Sequence, residues 1–168
     1  MLATGQKIPN DYEPATLAHP ARNVPKPVMP DEAKQETEAG AQAFLNYRAD
    51  AQWYAMQTGD TTVVREVTAI ECENCIKQFD DIDSLYSEGG WAMGGWEKLT
   101  LPDGSFTKRA DGGYNLPVSI DSRGFKTIEK HEARVLQEPF AGTGILDVYI
   151  DYRQGQWNYL TASPRGSL

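Results

Sequence analysis

Cysteine and histidine are scarce in this sequence, and long apolar runs are absent. Among its 168 residues are two cysteines, Cys72 and Cys75, and two histidines, His19 and His131. A zinc site normally needs about four such ligands, usually including a second cysteine pair or two closely spaced histidines. The apolar runs are only a few residues long, whereas a helix that crosses a bilayer needs roughly 20. We therefore expect no metal site, no other cofactor and no membrane span.

Basic residues are outnumbered by acidic ones. The chain has 16 Lys and Arg against 24 Asp and Glu, which gives a formal net charge of -8. The positive residues are scattered and usually stand beside acids, as in KTIEKHEAR. Such a surface repels phosphate backbones and anionic lipid headgroups, so nucleic acid is not an expected partner.

The N-terminal segment is rich in proline. Residues 1–30 contain six prolines and little apolar periodicity, which favours extended or polyproline II backbone. This segment is predicted to be a tether, or an arm that lies over the domain. Residues 31–163 are predicted to form a single α+β domain, and residues 164–168 a C-terminal tail. Residues 1–10 lack the basic and apolar regions of an export signal, so either the protein is cytoplasmic or a leader has been removed.

Helical periodicity dominates the first half of the predicted domain. Asp31 is a good N-cap, and apolar residues then recur at spacings of three and four as far as Thr58. Gly59 is suited to the left-handed position that ends a helix. A short second helix is predicted over residues 61–66, and a third from Cys72 onwards.

Short β-branched and aromatic runs, separated by Gly, Asp and Pro, make up the second half. Turns are predicted at residues 102–105, 121–124 and 153–156, and KTIEKHEAR is predicted to be a strand that contains His131. Pro117 predicts that its strand lies at an edge or carries a bulge. Helices followed by hairpin-linked strands predict an α+β fold, with the helices packed on one curved antiparallel sheet. The predicted core consists of Phe44, Tyr47, Tyr54, Ile76, Phe79, Ile82, Leu116, Val118, Ile120, Leu146, Val148 and Ile150.

The pair Cys72 and Cys75 has three interpretations: a redox site, half of a zinc site, or a disulfide. Glu71 and Glu73 flank the first cysteine, and their negative charge opposes the thiolate that redox chemistry requires. The preceding segment also lacks the pattern of a thioredoxin strand. We favour a local disulfide in an oxidising compartment. Because it closes a loop of only four residues, it is expected to contribute about 2 kcal/mol.

The remaining candidates for chemistry do not form a recognisable catalytic set, and no catalytic residue is assigned. Asp83 or His131 could serve as an acid or base, although a solvated helix face and a surface histidine are the simpler interpretations. Aromatic side chains could line a ligand pocket, or they could fill the core. The candidate pocket residues are Tyr47, Tyr54, Asp83, Trp96, His131 and Tyr149.

Several short features occur in a characteristic order over roughly residues 20–160. They are ARNVPKPVMPDEAKQ, a long helix ending in TGD, the CENC pair, and GGW at residues 89–91. In this order they resemble an uncharacterised actinobacterial family of lipoproteins. The layout is also similar to the nuclear-transport-factor-two-like, or SnoaL-like, cone of cystatin-like shape. Members of that superfamily include small-molecule isomerases, dehydratases and non-catalytic accessory domains.

The resemblance to lipoproteins implies an extracytoplasmic protein that a lipid anchor, absent from this chain, holds at the cell membrane. With no catalytic set in the sequence, we expect a non-enzymatic binding or interaction module. Its expected partner is another protein or a small apolar ligand. The alternative is a cone-fold enzyme or small-molecule receptor with an aromatic-lined pocket.

Overall fold

Three α-helices precede seven strands in the computed structural model, which describes residues 1–165 except for the side chains of 143–145. Residues 166–168 of the expected C-terminal tail therefore lie outside the described residues. A short 3-10 helix and three α-helices span Asp31–Lys34, Glu38–Thr58 (α1), Thr62–Glu66 (α2) and Glu73–Ser87 (α3). The strands are Trp91–Gly94 (β1), Glu97–Thr100 (β2), Tyr114–Ser122 (β3), Phe125–Glu129 (β4), Glu132–Gln137 (β5), Phe140–Arg153 (β6) and Gln156–Pro164 (β7).

All the strand pairs are antiparallel, and the strands form two hydrogen-bonded sheets. One sheet has the order β1-β4-β5 and the other has the order β2-β3-β6-β7. The predicted α+β class, with helices packed on antiparallel strands, is confirmed, but the strands lie in two sheets where one was predicted. Among the described residues no helix is both long enough and apolar enough to span a bilayer.

Helix α1 begins later than the sequence predicts. The segment from Asp31 makes one 3-10 turn, after which Gln35 is extended and Thr37 becomes the N-cap of α1. The Thr37 hydroxyl accepts a hydrogen bond from the Gly40 amide at 2.9 Å. The backbone carbonyl of Gln35 instead accepts from the indole nitrogen of Trp157 at 2.9 Å. Residues 31–36 are therefore not part of α1, because the Gln35 carbonyl binds Trp157 on β7 instead of a helical amide.

The end of α1 lies where it was predicted. Gly59 has a φ of 78°, and its amide donates to the carbonyl of Ala55. A Cβ at this position would lie 2.5 Å from the ring of Tyr86 on α3. The Tyr86 hydroxyl donates to the carbonyl of Met56, and burial raises the pKa of Tyr86 to about 12. Gly59 therefore both ends α1 and allows α3 to pack closely against it.

Residues 1–30 pack along the domain as an arm rather than extending from it as a free tether. Leu2, Ala3 and Ala15 are buried. The carboxylate of Asp50 on α1 accepts hydrogen bonds from the amides of Ala3 at 2.7 Å and Thr4 at 3.0 Å. Asp50 is only 1% exposed, and burial raises its pKa although these hydrogen bonds oppose the shift. Because the carboxylate is the acceptor for both amides, it fixes the beginning of the arm on α1.

Two turns differ from their predictions. The predicted strand through His131 is interrupted by a turn in which Lys130 and His131 have φ values of 52° and 62°, and this turn joins β4 to β5. The predicted 121–124 hairpin instead joins β3 to β4, which belong to different sheets. At Lys130 and His131, two successive left-handed residues fit the twist of a two-residue hairpin. The sequence Lys-His lacks the Asn-Gly signal by which such turns are recognised.

Pro117 occupies the kind of position that its missing N–H requires. Strand β2 pairs with β3 only over residues 119–122, so within the described part of the chain β3 has no strand partner on that side at Pro117. The ladder between β3 and β6 also shifts register between Val118 and Ile120. Both the local edge and the irregularity predicted from proline are therefore present.

All twelve predicted core residues belong to one hydrophobic cluster between the helices and the strands. Eight are buried, and the other four are partly buried and pack against them. The predicted set omitted Trp157, which is only 2% exposed and contacts the rings of Tyr114, Tyr152 and Phe106.

Substitution of Gly40 by alanine is predicted to destabilise the fold. Inside a helix, alanine normally stabilises the folded state by about 1 kcal/mol relative to glycine. At this site the new Cβ would meet the Gln35 carbonyl oxygen at 2.0 Å. We therefore expect a lower free energy of unfolding in urea for Gly40→Ala. The control is Ala39→Gly at the neighbouring exposed position, which should cost no more than about 1 kcal/mol. A more stable Gly40→Ala protein would contradict the close approach.

Substitution of Asp50 by asparagine is predicted to loosen the arm. The asparagine amide would place a donor against one of the two backbone N–H groups that the carboxylate now accepts. We expect faster amide hydrogen exchange at Ala3 and Thr4, measured by NMR, with α1 still protected. Asp11→Asn removes the same charge from an exposed position and should leave this exchange unchanged. Equal exchange in the two variants would show that Asp50 does not hold the arm.

Candidate functional site

An open groove lies between α3 and the inner face of the β1-β4-β5 sheet. Its volume is about 410 Å³. We call it the α3 groove. Its apolar lining comes from α1, α3 and all three strands of the sheet: Met56, Ile82, Leu85, Ala92, Phe125 and Leu136.

The alternation of side chains along the strands divides the two faces of this small sheet. Trp91 and Ile128 point to the outer face, where they pack with Ala15 of the arm. The indole nitrogen of Trp91 donates to the carbonyl of Thr16 at 2.8 Å. Neighbouring residues such as Ala92 point to the opposite face and line the groove. The arm thus covers the outer face around Trp91 and Ile128, while α3 covers part of the other face.

The rim of the groove is mainly acidic. Asp81 forms an ion pair with Lys77 at 2.6 Å. Glu88, Glu129 and Arg134 also line the rim, and none of the three has an ion-pair partner within the described part of the chain. The groove therefore combines an apolar floor with a surplus of negative charge.

A buried polar cluster lies on the other side of α3. Arg48 on α1 is only 5% exposed. Its Nε donates to the Thr68 hydroxyl and its Nη1 to Gln52 Oε1, both at 3.2 Å. Its guanidinium stacks 3.5 Å from the ring centre of Tyr159 on β7. Gln52 in turn donates weakly to Glu97 Oε1 at 3.4 Å, so a chain of polar side chains joins the cation to the carboxylate.

Burial dominates the electrostatics of this cluster. It lowers the pKa of Arg48, although Tyr159 and Glu97 oppose the shift. It raises the pKa of Glu97 against the opposing effect of Arg48. It also raises the pKa of Tyr159. The arrangement is a desolvated cation with no carboxylate within ion-pair distance in the part of the chain that is described.

Cys72 and Cys75 form a disulfide at the beginning of α3, and both are buried. Cys72 is the N-cap residue of the helix, and the amide of Ile76 donates to its carbonyl. The bridge therefore closes the first turn of α3 beside the Arg48 cluster. Across the described residues, no three His, Cys, Asp or Glu side chains are grouped as metal ligands would be.

The structure separates the predicted pocket residues on the helices. Tyr47 is buried in the core and Tyr54 is half-buried, both on α1. Asp83 is exposed on α3, where it accepts hydrogen bonds from the Thr61 hydroxyl and from Arg65 Nη2, both at 2.9 Å. Asp83 therefore links α3 to α2 rather than facing a cavity.

The other three predicted pocket residues lie in three further places. Trp96 is half-buried beneath the guanidinium of Arg123, at 4.6 Å. The Nδ1 atom of His131 lies 2.9 Å from the Leu17 carbonyl, in an exposed turn. Tyr149 is half-buried on β6. The described structure thus does not bring the six residues together around one cavity.

The most unusual polar group, Arg48 with Gln52, was not among the candidates from the sequence. The sequence gives only a weak signal for it: Arg48 and Gln52 stand four residues apart, as exposed helical pairs do, although their neighbours are mostly apolar. The α3 groove had no comparable signal, because its lining comes from five separate elements.

The chain belongs to a family of unknown function, DUF6318, whose family model matches residues 10–163. No curated protein and no solved structure matches the chain. The match covers almost the whole described domain, and the family has no assigned activity.

Removal of the disulfide is predicted to lower stability without abolishing the fold. The loop-entropy relation gives about 2 kcal/mol for a bridge that closes four residues. We expect the Cys72→Ala, Cys75→Ala double variant to lose about that much free energy of unfolding in urea and to keep its fold.

The redox state itself can be counted by intact mass after alkylation under denaturing conditions. We expect no alkylation before reduction and two alkylated thiols afterwards. Two reactive thiols in protein purified from an oxidising compartment would contradict a stable bridge.

Proposed function

We propose that this protein is a non-enzymatic binding module that works outside the cytoplasm. In this proposal the α3 groove holds an apolar, positively charged segment of a partner protein. The observation that carries the proposal is the open groove, which has an apolar floor and an acidic rim.

The floor favours an apolar ligand. Met56, Ile82, Leu85, Phe125 and Leu136 supply side chains from three sides of the groove. Leu136 is 48% exposed although it faces the groove, so a partner would remove apolar surface from water there. Complete burial of one leucine-sized side chain contributes roughly 1.5–3 kcal/mol. A few apolar side chains of a partner would therefore supply substantial affinity.

The rim favours a cationic partner. Glu88 and Glu129 have no ion-pair partner in the described structure, and Glu132 borders an adjoining depression beside them. Arg134 on the rim and Lys130 in the adjoining depression are the basic residues here, so the acidic side chains still outnumber them. Partner lysines or arginines would be attracted to this end of the groove, whereas an anionic ligand would be repelled.

The neighbouring strand favours an extended protein segment over a compact small molecule. Strand β5 is an edge of its sheet, so its backbone N–H and C=O groups on one side have no strand partner among the described residues. Its residues 132–136 are all exposed. An extended segment that enters the groove would pass beside this edge and find hydrogen-bonding groups there.

The disulfide supports a location outside the cytoplasm. Disulfides persist in oxidising compartments and are rare in reducing ones. With the resemblance of the ordered motifs to a lipoprotein family, this supports a domain held at the cell surface by a lipid anchor. The resemblance of the sequence to the nuclear-transport-factor-two-like cone is compatible with an accessory, non-catalytic role, but fold alone does not assign one.

The proposal predicts a large effect at Leu136 and a small one at Val135. These neighbours are similarly exposed, at 48% and 45%, but only Leu136 lines the groove. The probe is a short synthetic peptide in which leucine alternates with lysine, and binding is measured by fluorescence anisotropy. We expect Leu136→Asp to weaken binding by at least about tenfold, equivalent to about 1.4 kcal/mol.

Val135→Asp is the matched control, because it adds the same charge on the opposite face of the same strand. It should change the affinity by less than about twofold, which corresponds to roughly 0.4 kcal/mol. A peptide in which glutamate replaces lysine should bind at least about tenfold more weakly than the lysine peptide. Equal affinities for the two variants, or for the two peptides, would contradict the groove as the binding site.

A further inference from the structure

We propose a second binding site, for the carboxylate group of a small ligand, in the cavity beside Arg48. The cavity has a volume of about 170 Å³ and lies between α1, the first turn of α3 and β7. Polar side chains line it alongside Arg48, including Asn74, Gln78 and Thr161. We call it the Arg48 cavity.

The guanidinium of Arg48 has a free hydrogen-bonding edge. Its Nε and Nη1 are occupied by Thr68 and Gln52, and one face is covered by Tyr159. Nη2 makes no hydrogen bond to the described residues. It is also not among the fully buried side-chain atoms that lack a hydrogen-bond partner. Arg48 lines the cavity, and Nη2 is its nitrogen that remains available to a ligand oxygen. Charge-assisted bonds of guanidinium to carboxylate are short and strong.

The beginning of α3 independently favours an anion at the same place. This helix is 15 residues long, and its N-cap residue Cys72 makes no side-chain capping hydrogen bond. The amides of Asn74 and Cys75 have no acceptor among the described residues. Both residues line the Arg48 cavity. Unpaired amides at the positive end of a helix dipole are natural donors to an anion.

The surrounding charges favour a singly charged carboxylate over a phosphate dianion. Glu97 is linked to Arg48 through Gln52, and Glu73 stands exposed at the beginning of α3. Two negative groups near one buried cation would raise the free energy of a second negative charge on the ligand. The small volume of the cavity sets a corresponding limit on the size of the acid.

This site is separate from the α3 groove and takes ligands of the opposite charge. Gln78 is the one lining residue common to the two cavities. The carboxylate site does not depend on the proposed function of the groove, because a different set of groups forms it.

The test is an NMR titration of the isotope-labelled protein with sodium acetate. Sodium chloride at equal ionic strength and inorganic phosphate provide the comparisons. The signals observed are the amides of Asn74 and Cys75 and the Nε–H of Arg48. We expect saturable shifts with acetate, at least about tenfold weaker binding of phosphate, and no saturable shift with chloride.

Two variants and a control locate the site. Arg48→Met removes the guanidinium, and Ala162→Leu fills the cavity while leaving Arg48 in place. Both should weaken acetate binding at the Asn74 and Cys75 amides by at least about tenfold, with the rest of the spectrum preserved. Arg123→Met removes an arginine that also stacks on an aromatic ring, that of Trp96, and should leave acetate binding unchanged.

Three results would overturn the proposal. One is a shift with acetate that never saturates or that chloride reproduces. Another is saturable acetate binding that persists in both Arg48→Met and Ala162→Leu. The third is phosphate binding as tight as acetate binding, which would reject the assignment to a carboxylate.

Discussion

The rest of the structure depends on the enclosure of helix α1. Of its 21 residues, 15 are buried, and they lie on every side of the helix. A buried polar group is costly unless it finds a hydrogen-bond partner, so the polar residues of α1 must be satisfied by other elements. Gln42 pairs with the backbone of Leu99 and Leu101 beside β2. Gln57 accepts from the Tyr12 hydroxyl and donates to the Gly94 carbonyl at the end of β1. Each bond places a different segment around the helix.

Local chemistry predicts much of this architecture, and long-range contacts account for what it misses. Gly59 ends α1 as expected because a left-handed residue and a close neighbour both require glycine there. The predicted beginning of α1 was wrong because two side chains more than a hundred positions away bind the backbone there. Trp157 donates to the carbonyl of Gln35, and Tyr152 donates to that of Lys34. No pattern within residues 31–40 contains that information.

The two sites were harder to predict than the fold, for the same reason. The α3 groove exists because β4 and β5 pair with β1 in a separate sheet, and no local pattern shows that the chain changes sheets at residues 121–124, whose sequence fits an ordinary hairpin. The aromatic residues proposed for a pocket mostly serve packing, which is the commoner use of such side chains. Arg48 was overlooked because its spacing from Gln52 is that of any exposed helical pair, and only burial makes it unusual.

Gln78 has a consequence for how the two cavities would behave together. It stands on α3 with the groove on one side and the Arg48 cavity on the other. A ligand that moves this side chain, or shifts the helix that carries it, changes the walls of both cavities at once. The two binding equilibria would then share a coupling free energy, and thermodynamic linkage makes such coupling reciprocal. A bound acid would in that case alter the affinity for a protein partner by the same factor by which the partner alters the affinity for the acid.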